Sequence, residues 1–525
     1  MTNGAGSRLV LAAMIFAVAM TFIDQTVVAL AVPELQKDLH LSATGTQWIV
    51  NAYLLSLSAL FAFGGRLADI AGHRRMVVIG VITFAGASAL CGATPTGDAG
   101  EAWMIVFRVI QGAGAAIMFP AALAIVIAAF PVEQRGKAMA AFFGITGGLT
   151  AVGPIAGGYL TEWTWRAIFW VNVPVAIIAL ILTARANIPE NRHPGSIDWP
   201  GTGLIASGMS LSVLGLQQSS QWGWGDPVTW VCIVAGVLLL LAFVQRQLRV
   251  ANPLMEVRIF RNRGFAADNL VLFLMMMAFV PLFFFSSLYA QIALGDDASG
   301  AGLYLLVWFG GFAAGSQWGG RILDSRGARA AVLPGAALAA VGLFLWAGSL
   351  TKLDLGDQWI WIVMAGVGMG MVLGPASTDA LNRAPAVRYG EATGILQTLR
   401  NFGSSLGLAL LGTVLILQNK SNIEASLGDA GVPKARADAI ADSLSQSGGG
   451  DPSGGIAQSA GRGAQRIFEA VQHDFAESTQ VVFYVMGGVM VACYIAAHVL
   501  MPRGKAEEVV AEPPAGVEAS AVGEA

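Results

Sequence analysis

Five charged side chains interrupt otherwise apolar stretches of this 525-residue sequence: Asp24, Arg108, Asp268, Asp379 and Arg400. A charge at mid-bilayer costs roughly 2.5–3.5 kcal/mol on insertion scales, so such residues are usually paired or functional. Desolvation raises a carboxyl pKa and a nearby arginine lowers it. An aspartate that moves between those two surroundings can take up and release a proton. Asp24 lies about 24 Å along the first apolar stretch, counted at ~1.5 Å per residue, and Arg108 lies at similar depth in the fourth. They are the candidate proton-handling pair, with a static structural ion pair as the alternative. Arg400 is a second deep cation. Asp268 is expected to form a surface pair with Arg261 or Arg263, and Asp379 and Glu391 to be solvated at helix ends.

These residues need membrane helices to hold them. The chain is 55% hydrophobic and 12% charged, where an ordinary globular chain carries about 25% charged residues. Its mean hydropathy is +0.64. That charge is too little to cover the surfaces of several soluble domains, which excludes a water-soluble enzyme. A net charge of −3 gives no electrostatic signal for nucleic acid. Cys91, Cys232 and Cys493 are far apart and form neither a disulfide framework nor a metal cluster. No cofactor is expected, and there is no phosphate-binding G-x-x-x-x-G-K-[ST] loop.

A membrane helix needs about 20 mostly apolar residues. Fourteen stretches qualify: 9–33, 46–65, 76–94, 102–124, 138–160, 167–184, 200–218, 227–245, 268–294, 298–320, 330–351, 358–379, 392–418 and 478–501. If the N-terminus is cytoplasmic, the inside segments hold 20 of the 30 Lys and Arg residues and the short outside loops three. That bias predicts both termini inside, in a multi-pass protein of the cell (inner or plasma) membrane. The 59-residue segment 419–477 would face outward, and the acidic tail 503–525 reads as disordered.

A repeat organises the stretches. Gly64-Gly65-Arg66-Leu67-Ala68-Asp69-Ile70-Ala71-Gly72-His73-Arg74 follows the second, and Gly319-Gly320-Arg321-Ile322-Leu323-Asp324-Ser325-Arg326-Gly327-Ala328-Arg329 follows the tenth. If each marks a second-to-third loop, the chain is all-α and integral to the membrane. It would divide into a six-helix bundle (1–186), two inserted helices (187–263) and a second six-helix bundle (264–502). Parallel six-helix repeats with a midplane site describe a secondary transporter.

The loop from Gly65 to Arg75 resembles the loop signature of the major facilitator superfamily. Arg108-Val109-Ile110-Gln111-Gly112-Ala113-Gly114 resembles its fourth-span motif, and Gly148, Gly153, Pro154, Gly157 and Gly158 its fifth-span antiporter motif. Asp24-x-Thr26-Val27-Val28 with Pro33, and Trp165-Arg166-x-x-Phe169-x-x-Asn172-x-Pro174, resemble the fourteen-span drug:proton antiporter branch. The resemblance covers almost the whole chain. It implies a proton-driven exporter of hydrophobic small molecules, with Asp24 as protonatable acid and Arg108 as coupling arginine. It also implies an inner-loop latch of Gly65, Asp69, Gly72, Arg74 and Arg75, engaging Arg135 and the start of span thirteen. Asp324 and Arg329 would be the second-half counterpart.

Gln25, Gln111, Gln397 and Arg400 are the possible cavity residues. If Asp24 and Arg108 cancel, Arg400 leaves the cavity positive, which favours neutral or anionic amphiphiles over strict lipophilic cations. The expected partners are a lipophilic small molecule, protons and the bilayer, with the chain monomeric. A proton symporter or facilitator importing a small solute is the competing transporter reading. A membrane enzyme would need a clustered catalytic set at membrane depth, which is missing. A receptor acting through 419–477 would leave Asp24, Arg108 and the repeat unexplained.

Overall fold

A computed structural model describes residues 4–97, 99–130, 132–186, 188, 196–384, 389–429, 434, 441 and 464–504. Most of the segment 419–477 and the tail from 505 lie outside the described residues. So do Arg192 and Arg388, the side chain of Arg135 and the surroundings of Gly148.

Among the described residues the architecture is entirely helical. The helices are α1 (Gly4–Leu39), α2 (Ala43–Ala71), α3 (His73–Gly92), α4 (Gly100–Ala129), α5 (Val132–Trp163), α6 (Ala167–Trp170), α7 (Asn172–Arg185), α8 (Trp199–Trp222), α9 (Pro227–Gln247), α10 (Arg263–Ile292), α11 (Ala298–Arg326), α12 (Ala328–Ser349), α13 (Leu355–Asn382), α14 (Tyr389–Asp429) and α15 (Ala464–Leu500). Each of the fourteen apolar stretches has its helix, with α6 and α7 sharing one. Among the described residues twelve spans are long and apolar enough to cross a membrane.

The start of α1 and the end of α15 lie at one face of the bundle. At this near end Ser7 donates to the Ala129 carbonyl closing α4, Asn262 to the Arg383 carbonyl, and Arg329 to the His498 and Met501 carbonyls. At the far end Gln291 donates to the Leu30 carbonyl at 3.1 Å.

Gly72 and Gly327 occupy equivalent places in the repeat. Each has positive φ (102° and 87°), and each donates its N–H to the helix just ended, at Ala68 and Leu323. A side chain would be strained in either turn. The glycine is why both motifs can reverse the chain in one residue.

Proline and glycine together set the helix spacing. A proline inside a helix frees the carbonyl four residues earlier. In this fold three of those freed carbonyls meet glycines of a neighbouring helix. Ala116, freed by Pro120, meets Gly64; Met371, freed by Pro375, meets Gly319; and Met277, freed by Pro281, meets Gly407. Neighbouring helices commonly re-satisfy such groups in membranes.

The inserted helices α8 and α9 pack on each other through Gly208, Gly215 and Gly236. Asp198 caps α8 at Gly201 and is gripped by Arg246 Nη2 at 2.8 Å and Gln247 Nε2 at 2.9 Å. Burial alone would raise the Asp198 carboxyl pKa. The donors Arg246, Gly201 and Gln247 outweigh it and hold the group below the usual aspartate value. Helix α8 covers the seam between α2 and α14. Gln221 donates to Thr44 Oγ1 at 2.9 Å, and Thr413 donates to the Leu216 carbonyl at 2.8 Å.

Candidate functional site

Asp24 is buried at 2% exposure, Arg108 at 1% and Gln111 at 0%. Arg108 Nη1 donates to Asp24 Oδ2 at 2.6 Å and to Gln111 Oε1 at 2.7 Å. Gln111 Nε2 donates to Asp24 Oδ1 at 2.8 Å, and Arg108 Nε to the Ile49 carbonyl at 2.8 Å. The guanidinium carbon lies 4.5 Å from the Tyr53 ring centre, within cation–π range. Each Asp24 oxygen thus has a donor, and three helices (α1, α2 and α4) share one network.

The local sequence explains the convergence. Arg108 and Gln111 are three residues apart on α4 and so share a face. Ile49 and Tyr53 are one turn apart on α2. Gly112 lets α2 come close, since a side chain there would meet Ser56 and the backbone at Leu57. Gln111, expected as a cavity residue, instead bridges Asp24 and Arg108. Tyr53 and the Ile49 carbonyl were not anticipated; neither is marked by charge.

The fifth-span glycines divide between two neighbours. Gly157 faces α1, where a Cβ would lie 3.0 Å from Leu30 Cδ1 and 3.1 Å from Val27 Cα. Gly153 faces Thr26. Thr26 Oγ1 donates to the Thr150 carbonyl at 3.3 Å, the carbonyl that Pro154 leaves free. Gly158 faces the other half, where a Cβ would lie 2.8 Å from Ser299 Cα and 2.9 Å from the Ala298 carbonyl oxygen. Gly302 of α11 sits on the Pro154 carbonyl.

Further contacts join the halves along α2 and α14. Asn51 and Ser405 hydrogen-bond each other, and Ser58 donates to the Thr398 carbonyl at 2.9 Å. The halves are therefore in contact from the far end to mid-depth.

At the near end Asp69 Oδ1 pairs with His73 Nε2 at 3.2 Å. Gly65 lies beside Pro120, Arg74 is half-buried and Arg75 exposed. Arg135, the expected latch partner, is outside the described side chains. In the second half the structure does not bring Asp324 and Arg329 together. Asp324 is exposed, while Arg329 caps the end of α15 through the His498 carbonyl at 2.6 Å and the Met501 carbonyl at 2.8 Å. Helix C-termini present orphan carbonyls that an arginine can satisfy.

Of the other cavity candidates, Gln25 is half-buried near Tyr53. Gln397 and Arg400 pair with each other, Arg400 Nη1 donating to Gln397 Oε1 at 3.0 Å. Arg400 Nε is buried with no acceptor, and among the described residues no carboxylate pairs with this arginine.

Two expectations need correction. Asp268 is not in a surface pair with Arg261 or Arg263, which are exposed; it is fully buried. Asp379 is likewise not a solvated helix end, being 1% exposed. Arg383 reaches in from the end of α13 and joins them, its Nε 2.6 Å from Asp379 Oδ2 and 3.7 Å from Asp268 Oδ2. Residue spacing could place Asp379 beside Arg383, four apart on one helix face, but not bring Asp268 to them from α10.

A second unanticipated network lies nearer the far end, with no charge in it. Trp346 Nε1 donates to Tyr304 Oη, Tyr304 Oη to Gln358 Oε1, Gln358 Nε2 to Tyr289 Oη, and Tyr289 Oη to the Leu350 carbonyl, all between 2.6 and 2.9 Å.

Comparison with known proteins places this geometry. A family model described as Major Facilitator Superfamily matches residues 14–408. The chain is 32% identical to a tetracenomycin C resistance and export protein of Streptomyces glaucescens, over 95% of this chain and 91% of that protein. It is 35% identical to a puromycin resistance protein of Streptomyces alboniger, over 78% and 81%. It is also 35% identical to a cephamycin export protein of Amycolatopsis lactamdurans, over 79% and 85%. Among solved structures, a bacterial homologue of the human lysosomal transporter Spinster superposes with a TM-score of 0.65 at 17% identity, covering 95% of this chain and 98% of that one.

Proposed function

For a chain that belongs to the Major Facilitator Superfamily, a multi-pass membrane protein and not an enzyme, we propose a drug-efflux transporter driven by proton entry. Its substrates would be hydrophobic or amphiphilic small molecules of the antibiotic class, moved by alternating access. Relatives named for resistance to or export of tetracenomycin, puromycin and cephamycin support the efflux reading. The observation that carries proton coupling is the buried Asp24, held at both oxygens by Arg108 and Gln111. Protonating Asp24 would release Arg108 from its counter-charge, and the freed arginine would repack the α1–α2–α4 contact.

In this reading both termini are cytoplasmic and fourteen helices span the bilayer. The bundles 1–186 and 264–502 rock about the α5–α11 and α2–α14 seams, with 187–263 inserted between them. Asp69 and its loop act at the cytoplasmic end. One proton crossing 100 mV releases ~2.3 kcal/mol, enough for roughly a fifty-fold gradient of a neutral solute at 1.36 kcal/mol per decade.

The test is efflux from proteoliposomes under an imposed pH gradient, with cationic, neutral and anionic dyes. Native protein should export against the dye gradient, and Asp24→Asn should lose that ability. Removing one partner of a buried ion pair costs about 3–5 kcal/mol, so Asp24→Asn/Arg108→Gln serves as the folding control. The double variant should recover thermal stability and remain uncoupled. Uphill export by Asp24→Asn would remove Asp24 from the coupling step.

A further inference from the structure

The cluster of Asp268, Asp379 and Arg383 has no part in the coupling just described. Its composition is two carboxylates and one guanidinium, all from the near ends of α10 and α13. The side chains are 0%, 2% and 14% exposed respectively. Arg383 is committed to Asp379 by the 2.6 Å contact and stands 3.7 Å from Asp268 Oδ2, beyond hydrogen-bond range. Both Asp268 oxygens lack any donor, and the Asp268 and Asp379 carboxyl groups act directly on each other.

Among the described residues other elements bring no further compensating charge. The elements packed on α10 are α1, α11, α13, α14, α15 and the short helical turn Val257–Arg261, whose Arg258 and Arg261 are exposed. From α15 the nearby ionisable group is the Cys493 thiol, which donates to the Val271 carbonyl at 3.6 Å. Arg8 of α1, Asp324 and Arg326 of α11, and Glu391 of α14 are exposed. Arg400 of α14 is paired with Gln397.

Fully ionised, the trio would bury one net negative charge with two unsatisfied oxygens. That is costly in a low-dielectric site. Two carboxylates that share a site avoid the cost by sharing a proton. A proton on Asp268 makes the trio neutral and turns an orphan acceptor into a donor towards Asp379.

We propose that the Asp268–Asp379 pair is a second proton-binding site, holding one proton at neutral pH in the state where the near ends of α10 and α13 are packed together. The proton is part of what keeps those ends joined. Asn262 caps α10 and also donates to the Arg383 carbonyl at 3.0 Å. Gly264 leaves room for the Arg383 side chain, which a Cβ would meet at 2.8 Å from Nε. Loss of the proton would leave two carboxylates facing each other across this contact and favour its opening.

The test is infrared spectroscopy of full-length protein in lipid nanodiscs at pH 7, without substrate or gradient. A protonated buried carboxyl gives a carbonyl stretch distinct from carboxylate bands. The native protein should show it, and Asp268→Asn should abolish it. Asp379→Asn should abolish it as well, because Asp268 then has Arg383 to itself and ionises. Asp24→Asn should retain it. The proposal is overturned if native protein has no such band, or if Asp268→Asn or Asp379→Asn leaves it unchanged. The second variant approaches the site from another helix, so a folding failure of one leaves the test intact. No transport is measured, so the outcome does not depend on the role of Asp24.

Discussion

Gly158 offers the sharpest test of which contacts sense the state of the transporter. It sits where α5 of one half meets α11 of the other. A Cβ there would lie 2.8 Å from Ser299 Cα and 2.9 Å from the Ala298 carbonyl oxygen. Both are backbone atoms and cannot swing aside, so in Gly158→Ala the ends of α5 and α11 must separate. Overpacking of this kind costs about 1–3 kcal/mol. The cost falls only on the arrangement in which the far ends touch, and it would be relieved when they part. It therefore becomes a shift of roughly 5- to 160-fold in the ratio of the two arrangements, at 1.36 kcal/mol per decade.

Two controls separate this from general damage. Gly157→Ala crowds Leu30 and Val27 of α1 at 3.0 and 3.1 Å, within one half. It should lower thermal stability and leave the ratio alone. Gly203→Ala on α8 meets nothing within 4 Å and should change neither. The ratio can be read from spin-label distances between Glu162→Cys and Asp296→Cys, with Cys232 replaced. Cys91 and Cys493 are buried and can stay. A longer-distance population should grow in Gly158→Ala alone. An unchanged distance distribution in Gly158→Ala, or an equal shift in Gly157→Ala, would refute the argument that this seam opens in the cycle.

Two further outcomes follow from unpaired and over-paired charges. Arg400→Gln removes a buried cation whose Nε has no acceptor, a defect worth about 1–3 kcal/mol. The melting temperature should rise while export of anionic dyes falls relative to neutral ones, and a lower melting temperature with unchanged dye preference would contradict this. Asp198 has a folded-state pKa below its ordinary value despite burial, because Arg246, Gly201 and Gln247 donate to it. Its contribution is present above the unfolded value of ~3.9 and is lost as pH falls through the lower folded value. Protection against hydrogen exchange in α8 and α9, taken relative to the intrinsic rate at each pH, should therefore fall as the pH drops below about 4, where unfolded aspartate protonates, and Asp198→Asn should show low protection already at pH 7. Protection factors in α8 and α9 that stay constant across this range in native protein would exclude the linkage.

The helices were legible because a membrane span leaves a long, unambiguous signature. The fourteen apolar stretches each coincide with helix, and the turn glycines Gly72 and Gly327 announce themselves by repetition. The depth of Asp24 and Arg108 could be counted residue by residue. What could not be counted was azimuth. Gln111 looks like any intramembrane amide until the rotation of α4 aims it at α1. The Asp268 cluster was misread for the same reason: position along α10 suggested the surface, while the helix faces inward and Arg383 arrives from 115 residues away. Carbonyls freed by proline carry no mark of which neighbour will cover them.

The two halves share their backbone plan and differ in what it carries. The offset that relates Gly64 to Gly319, Gly72 to Gly327 and Pro120 to Pro375 also relates Asp24 to Phe279, Tyr53 to Trp308 and Arg108 to Val363. Where the first half has an ion network, the second has stacked and edge-on rings. Phe279 lies 5.4 Å and Phe312 5.0 Å from the Trp308 ring centre. The shared glycine and proline positions set how closely helices approach at equivalent places in the two halves. A buried polar network has only to satisfy itself, so it can be replaced by apolar packing without moving a helix. The result is an uneven distribution of titratable groups. The Asp24–Arg108 pair of the first half lies at mid-depth, whereas the Asp268–Asp379 pair of the second lies at the near end, on α10 and α13, with Arg400 as a separate buried cation. A proton bound at Asp24 and a proton bound at the Asp268–Asp379 pair would therefore act on different contacts, one at mid-depth and one at the near end.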